Sequence, residues 1–162
     1  MIKKNLNKIL IGVSILFAVV AIILLVAPGI TLKSEYKALT DYGVKESYSM
    51  ANITFGYKES VEGASYEVFK FAFGNLLTYI LIVGGIVCAV LAILGKGGKI
   101  VPFVCAGLFL VGGVLYLCAG KLLVLAIEDS GYYTIGIGSI LGGVFSILAA
   151  CAVCVTVFLK KN

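Results

Sequence analysis

Histidine, arginine and tryptophan are absent from this 162-residue chain, and only 13% of its residues are charged. Each absence removes a class of chemistry. Without histidine the chain lacks the commonest metal ligand and the side chain best suited to proton transfer near neutral pH. The low charge, set beside 61% apolar residues, excludes an ordinary water-soluble domain, in which about 25% of residues are charged. The net charge of +5 comes from thirteen lysines against eight acids. Those lysines are not gathered into the basic face that nucleic-acid binding requires, so no nucleic-acid partner is expected. Also missing are an HExxH helix, a Walker A loop, a dinucleotide fingerprint beside a strand–helix unit and an inward-facing carboxylate pair. No catalytic residue, cofactor or metal site is therefore assigned, and the chain reads as non-enzymatic.

What is present is length of apolar sequence. Runs at about 9–30, 74–95, 100–120 and 135–159 carry no Asp, Glu, Lys or Arg between their ends. About 30 Å of hydrocarbon takes roughly 20 helical residues at 1.5 Å each, so each run is long enough to cross a bilayer. Unbroken apolar runs lack the alternation of barrel strands, which leaves helices to satisfy the backbone in lipid. The fold class expected is an all-α membrane protein, a single domain over 1–162: a four-helix bundle capped by a small β-hairpin. The first run extends from Ile9 beyond Val26 without an Ala-x-Ala end, which reads as a retained anchor and not a cleaved signal.

Charge placement predicts an orientation. Lys3, Lys4, Lys8, Lys96, Lys99, Lys160 and Lys161 occupy the two ends and the 95–99 turn, with no acid among them. All eight acids lie in the other two connections. Lysine in short flanking segments stays cytoplasmic, so both termini and the "GKGGK" turn are expected inside a cell membrane crossed four times. The Lys-rich, Asn-bearing start "MIKKNLNKIL" suggests a bacterial source. Tyrosines at 36, 42, 48, 57, 66, 132 and 133 fall in the outer connections, and Phe71, Phe73 and Tyr79 mark the entry of the second span as an aromatic belt would.

The first outer connection, about 31–73, is too long for a plain turn. "SYSMANITFGY" and "YEVFKFAF" are rich in aromatic and β-branched residues, and the second alternates with period two. The expectation is an antiparallel hairpin of about 49–57 with 65–72. An isolated hairpin is marginal in water, so it needs a packing partner. Because the sequence stays apolar past Lys121, the third span is expected to continue as one helix over 100–127, with Leu122, Leu123 and Leu125 under the hairpin. Tyr48, Phe55, Tyr57 and Tyr66 are the residues expected to meet a partner protein or the cell envelope.

Four spans, inward termini, a large first outer loop with strand character and a long third helix resemble the claudin-like tetraspan architecture. The resemblance is one of topology. That family's loop carries a Trp, a Gly-Leu-Trp and two disulfide-bonded cysteines, and this chain has no Trp and no Cys in 31–73. No functional residue carries over. The chain also looks like small four-span membrane proteins of bacteria.

Within the spans two signals compete at 136–154. Cys151-Ala-Val-Cys154 has the spacing of a thiol–disulfide pair, but all five cysteines lie in apolar runs. No loop cysteine could relay electrons, and no cation lowers a thiol pKa. A ladder of small residues is the stronger signal: Thr134, Gly138, Gly142, Ser146, Ala150 and Cys154, with Gly84, Cys88 and Ala92 on the second span and Gly107, Gly112 and Gly113 on the third. Such rows let helix backbones approach closely in lipid, where no hydrophobic force draws helices together. Internal packing of the bundle is the expected use. The few polar residues in the spans (Ser14, Asn75, Thr78, Ser139, Ser146 and Thr156) include no ionisable group, which speaks against an ion path. An oligomeric transporter or channel is the alternative to a structural or accessory protein whose outer loops contact another protein. Asn52-Ile-Thr54 matches a glycosylation sequon that would go unused in most bacteria. The "GKGGK" turn reads first as a short positive-inside turn whose glycines permit a tight hairpin, with attraction of an anionic headgroup as the second reading.

Overall fold

In the computed structural model, residues 2–42, 44–61, 64–98, 100–122 and 130–161 are described. In chain order the elements are α1 (Ile2–Ile23), β1 (Pro28–Leu32), β2 (Ser47–Ser49), α2 (Met50–Phe55), β3 (Tyr57–Val61), β4 (Ala64–Phe69), α3 (Phe73–Ile93), α4 (Ile100–Leu117), β5 (Tyr133–Ile135) and α5 (Ile137–Lys161). Short 3-10 turns cover Leu24–Val26, Ser34–Tyr42 and Ser130–Tyr132. Four helices among the described residues are long and apolar enough to cross a membrane, as the runs predict. They form an antiparallel bundle in the order α1, α5, α4, α3, with α3 closing more lightly against α1.

The first span ends earlier than its apolar run. After the turn at Leu24–Val26, Ala27 is extended (ψ 158°), the conformation imposed on a residue that precedes proline. Pro28 then opens β1 at the centre of an antiparallel sheet ordered β2-β1-β5. Ile30 pairs with Tyr48 on one side and with Ile135 on the other. Because β1 leaves α1 directly and β5 enters α5 directly, this sheet ties the ends of two neighbouring helices together. Gly136 N donates to Gly29 O at 2.8 Å, and Ser139 Oγ donates to the same carbonyl at 2.7 Å. At Gly138 a side chain would strike the strand backbone, with its Cβ 2.7 Å from Pro28 O.

Two expectations are corrected in the cap and the third span. Residues 50–55 form a helix and not a strand: Ser49 caps it by accepting from Asn52 N at 3.2 Å, and Gly56, at φ +89°, ends it. The hairpin is therefore β3 with β4, joining 57–61 to 64–69 instead of 49–57 to 65–72. The helix of the third span stops at Leu117, and turns follow through Lys121. Gly120 interrupts the apolar run there, at a helix-propensity cost of about 1 kcal/mol relative to Ala. Leu122 packs on Gly74 at the start of α3, 3.2 Å from where a Cβ would stand. Leu123 and Leu125 lie outside the described residues.

At the opposite end, the connection from α3 to α4 is as tight as "GKGGK" implies. Gly95, Gly97 and Gly98 all hold positive φ (+73°, +90° and +66°), a region closed to most side chains. The lysine-bearing start of α1, this turn and the end of α5 share one end of the bundle, and the sheet and hairpin share the other. These are called the lysine end and the cap end.

Candidate functional site

The cap is built around Tyr48. It is 3% exposed, and its ring meets Tyr57, Phe69 and Tyr133 at centroid separations of 5.6, 4.7 and 5.7 Å, all edge-on. These four rings come from β2, β3, β4 and β5, so one side chain joins the sheet to the hairpin. Edge-to-face pairs add about 0.5–1.5 kcal/mol each beyond their buried area. Burial pushes the Tyr48 hydroxyl well above its ordinary pKa, with the neighbouring Tyr133 hydroxyl adding to the shift. A second edge-on pair, Tyr36 with Tyr132 at 4.7 Å, lies at the rim.

Of the four residues expected to meet a partner, the structure withdraws Tyr48, which is consumed by this core. Tyr57 is half-buried and accepts a hydrogen bond from Lys45 Nζ, which also forms an ion pair with Glu59 at 2.9 Å. These contacts raise the Lys45 pKa, the Tyr57 hydrogen bond most and the Glu59 hydrogen bond next. Phe55 and Tyr66 remain outward, 55% and 58% exposed, at the end of α2 and on β4. The sequon is unsuited to modification, because Thr54 is buried and donates to Met50 O at 2.7 Å.

The small-residue ladder divides. On α5, Gly138, Gly142, Ser146 and Ala150 are buried. A Cβ at Gly142 would overlap the Tyr116 ring, 2.5 Å from Cε1, and Ser146 Oγ donates to Phe109 O at 2.8 Å. Cys154 is exposed instead, and Thr134 lies on β5, outside the helix. The reason is helical pitch: a four-residue step advances about 400°, so the row drifts about 40° per step and about 160° from Gly138 to Cys154. On α3 the closely packed glycine is Gly85, one residue from the expected row. Its Cβ would stand 2.6 Å from Phe109 Cδ1, whereas one at Gly84 would make only ordinary contact with Leu108 at 3.6 Å. Cys88 and Ala92 are half-buried beside the core. Gly113 and Gly143 bring the backbones of α4 and α5 close together: a Cβ at Gly113 would lie 3.0 Å from Gly143 O.

Sequence reasoning missed the polar tie above this crossing. Tyr116 of α4, fully buried, donates to Ala21 O of α1 at 3.0 Å, and Tyr79 Oη lies 3.4 Å from Tyr116 Oη. Tyr79 is thus an interior residue and not part of an interfacial belt. Asn75, one turn earlier, donates through Nδ2 to Ile53 O of α2 at 3.3 Å and so fastens the cap helix to the bundle. Their spacing on one helix face, 75 and 79, was visible in the sequence, but nothing in it specified their partners.

The class defined by these features is a mostly helical bundle of four apolar helices carrying small sheets at one end, compatible with a multi-pass membrane protein. No protein-family model, curated protein or solved structure matches the chain. Among the described residues, no group of three or more His, Cys, Asp or Glu side chains could hold a metal ion.

Proposed function

We propose that this is a bacterial cell-membrane protein with four spans, both termini cytoplasmic and the cap outside, serving a structural or accessory role through contacts of the cap with another protein or the envelope. The observation that carries the reading is the contrast within the cap. Tyr48, Phe69 and their neighbours hold it as one body, while Phe55 and Tyr66 project from it. Aromatic side chains exposed on a rigid support are favoured anchors for a protein partner, because little conformational entropy is lost when they bind. The segregation of seven lysines from all eight acids supports the orientation.

Photo-crosslinking from Phe55 and Tyr66 in native membranes tests the role. A discrete adduct from both positions, weakened by alanine at the other, is expected. Uniform labelling of bulk membrane protein would sink the idea, as would catalytic turnover abolished by Cys151→Ala. Externally applied thiol reagent should label Ser60→Cys and spare Lys96→Cys, and the reverse pattern would overturn the orientation. The rival, an oligomeric channel or transporter, predicts specific solute flux in reconstituted liposomes. The buried hydroxyls of Ser14, Ser139, Ser146 and Thr156 each donate to a backbone carbonyl, which leaves little free polarity to line an aqueous path.

A further inference from the structure

The geometry points to a binding site for an anionic phospholipid headgroup at the lysine end of the bundle: a phosphodiester that also carries free hydroxyls, as in phosphatidylglycerol. The inference rests on the membrane reading above and adds a ligand to it. A cavity of about 150 Å³ opens there between all four long helices. Asn7 and Lys8 of α1, Ile93 and Gly95 at the end of α3, Pro102 of α4 and Thr156 of α5 line it. At about 30 Å³ per water, that volume matches roughly five waters or one compact polar group.

Its polar groups ask for two different things. Asn7 Oδ1 is buried and has no hydrogen-bond partner among the described residues. An acceptor in that state costs about 1–3 kcal/mol unless a donor reaches it. Thr156, which also lines the cavity, has committed its hydroxyl proton to Val153 O at 2.7 Å, so its hydroxyl has only acceptor capacity left. Lys8 brings a cation to the rim, and Lys96 is exposed on the turn that follows α3. The adjoining segments add Lys3, Lys4, Lys99, Lys160 and Lys161 in sequence, with no acid. Two long helices begin at this end and two finish, so their dipoles offset and the lysines set the local charge. A plain anion would satisfy the cations and leave Asn7 unpaired. A neutral hydroxyl compound would do the reverse. A headgroup with both a phosphodiester and hydroxyls satisfies each.

The rest of the wall, Ile11, Ala92, Ile93 and Pro102, is apolar. That suits a ligand whose acyl chains lie along the spans better than a free phosphate compound, and it favours the lipid as the source. Each basic residue near an anionic leaflet contributes about 1 kcal/mol, or about a fivefold change in binding.

The test uses the full chain, delipidated in mild detergent, with native mass spectrometry and thermal unfolding as readouts. Phosphatidylglycerol should bind at least about tenfold more tightly than phosphatidylcholine and raise the Tm, whereas inorganic phosphate and glycerophosphoglycerol should not. Lys8→Gln should lower the preference about fivefold. Asn7→Leu and the cavity-filling Ala92→Phe should abolish it, and if Ala92→Phe does not fold, Asn7→Leu alone decides. Equal binding of the two lipids, or an unchanged preference in Asn7→Leu, would overturn the site. Equal stabilisation by the soluble headgroup would overturn the lipid as its source. Alkaline carbonate extraction of native membranes separates this from failure of the membrane reading: a chain released to the supernatant disproves the latter.

Discussion

The two ends of the bundle are held by different kinds of contact. At the cap end, three buried polar side chains reach across elements, Ser139 to β1, Asn75 to α2 and Tyr116 from α4 to α1, while Thr54 and Thr78 bond within their own helices. Further down the bundle they turn back on their own helices: Ser14, midway along α1, to Ile11 O at 2.7 Å, and Thr156, at the lysine end, to Val153 O at 2.7 Å. A cross-helix hydrogen bond fixes a neighbour's position, whereas a bond within one helix fixes nothing beyond it. One end is tied, and the other keeps a cavity between four helices. Substitutions at the cap end should therefore act on stability, and those at the lysine end on what the protein holds.

The contrast breaks most severely at Gly142. Replacing it with leucine drives a branched side chain into the Tyr116 ring, which is itself pinned to Ala21 and cannot retreat. A loss of about 3 kcal/mol is expected, with a broadened or absent thermal transition in detergent. A normal transition in Gly142→Leu would mean that the α4–α5 crossing is loose and that the ends do not differ in rigidity. Next comes Tyr116→Phe, which preserves the ring and removes one hydroxyl. Ala21 O then loses its donor, and a loss of about 1–2 kcal/mol is expected, since cross-helix hydrogen bonds in apolar surroundings run to about that limit. The matching deletion of a bond within one helix, Ser14→Ala midway along α1, should cost less than half as much.

The sequence disclosed the part of this comparison that depends on composition. Uninterrupted apolar runs announce helices, and lysines gathered away from acids announce two unlike ends. Pitch was legible less well. A four-residue row of small side chains stays on one face for only a few turns, which is why Gly138 to Ala150 lie in the bundle and Cys154 does not. At 50–55 the aromatic and β-branched composition argued for a strand, and local punctuation won: a serine cap before Met50 and a glycine after Phe55 close one short helix. The roles of Tyr48, Tyr79 and Tyr116 were the least legible. A tyrosine in an apolar protein suits an interface or a core equally, and only the strand pairings and helix crossings decide which.

Alkaline pH sharpens the comparison from the cap side. Tyr48 is held neutral by burial, so its folded pKa exceeds the unfolded value of about 10. Below pH 10 both states keep the proton and stability does not depend on this group. Above pH 10 the unfolded chain releases the proton first, and stability falls with rising pH at up to about 1.4 kcal/mol per unit. Tyr48→Phe lacks that proton, so its unfolding free energy should fall less steeply between pH 10 and 11 than the parent's. Parallel curves would show that Tyr48 is open to solvent and that the cap lacks the closed aromatic core.

The smallest effect is expected at Cys151 and Cys154, both free and exposed on the lysine-side half of α5. Neither thiol lies within the cap's aromatic core or the Tyr116 tie, so alanine at either position should change stability by no more than about 0.5 kcal/mol. Cys105 behaves oppositely. It is fully buried, and its thiol donates to Gly85 O at 3.2 Å, across the α3–α4 contact. An alkylating reagent should therefore modify Cys151 and Cys154 in the folded protein in detergent and reach Cys105 only on unfolding. Equal labelling of all three would mean that the α3–α4 seam opens, and the rigidity ascribed to the cap end would not extend down the bundle as far as Gly85.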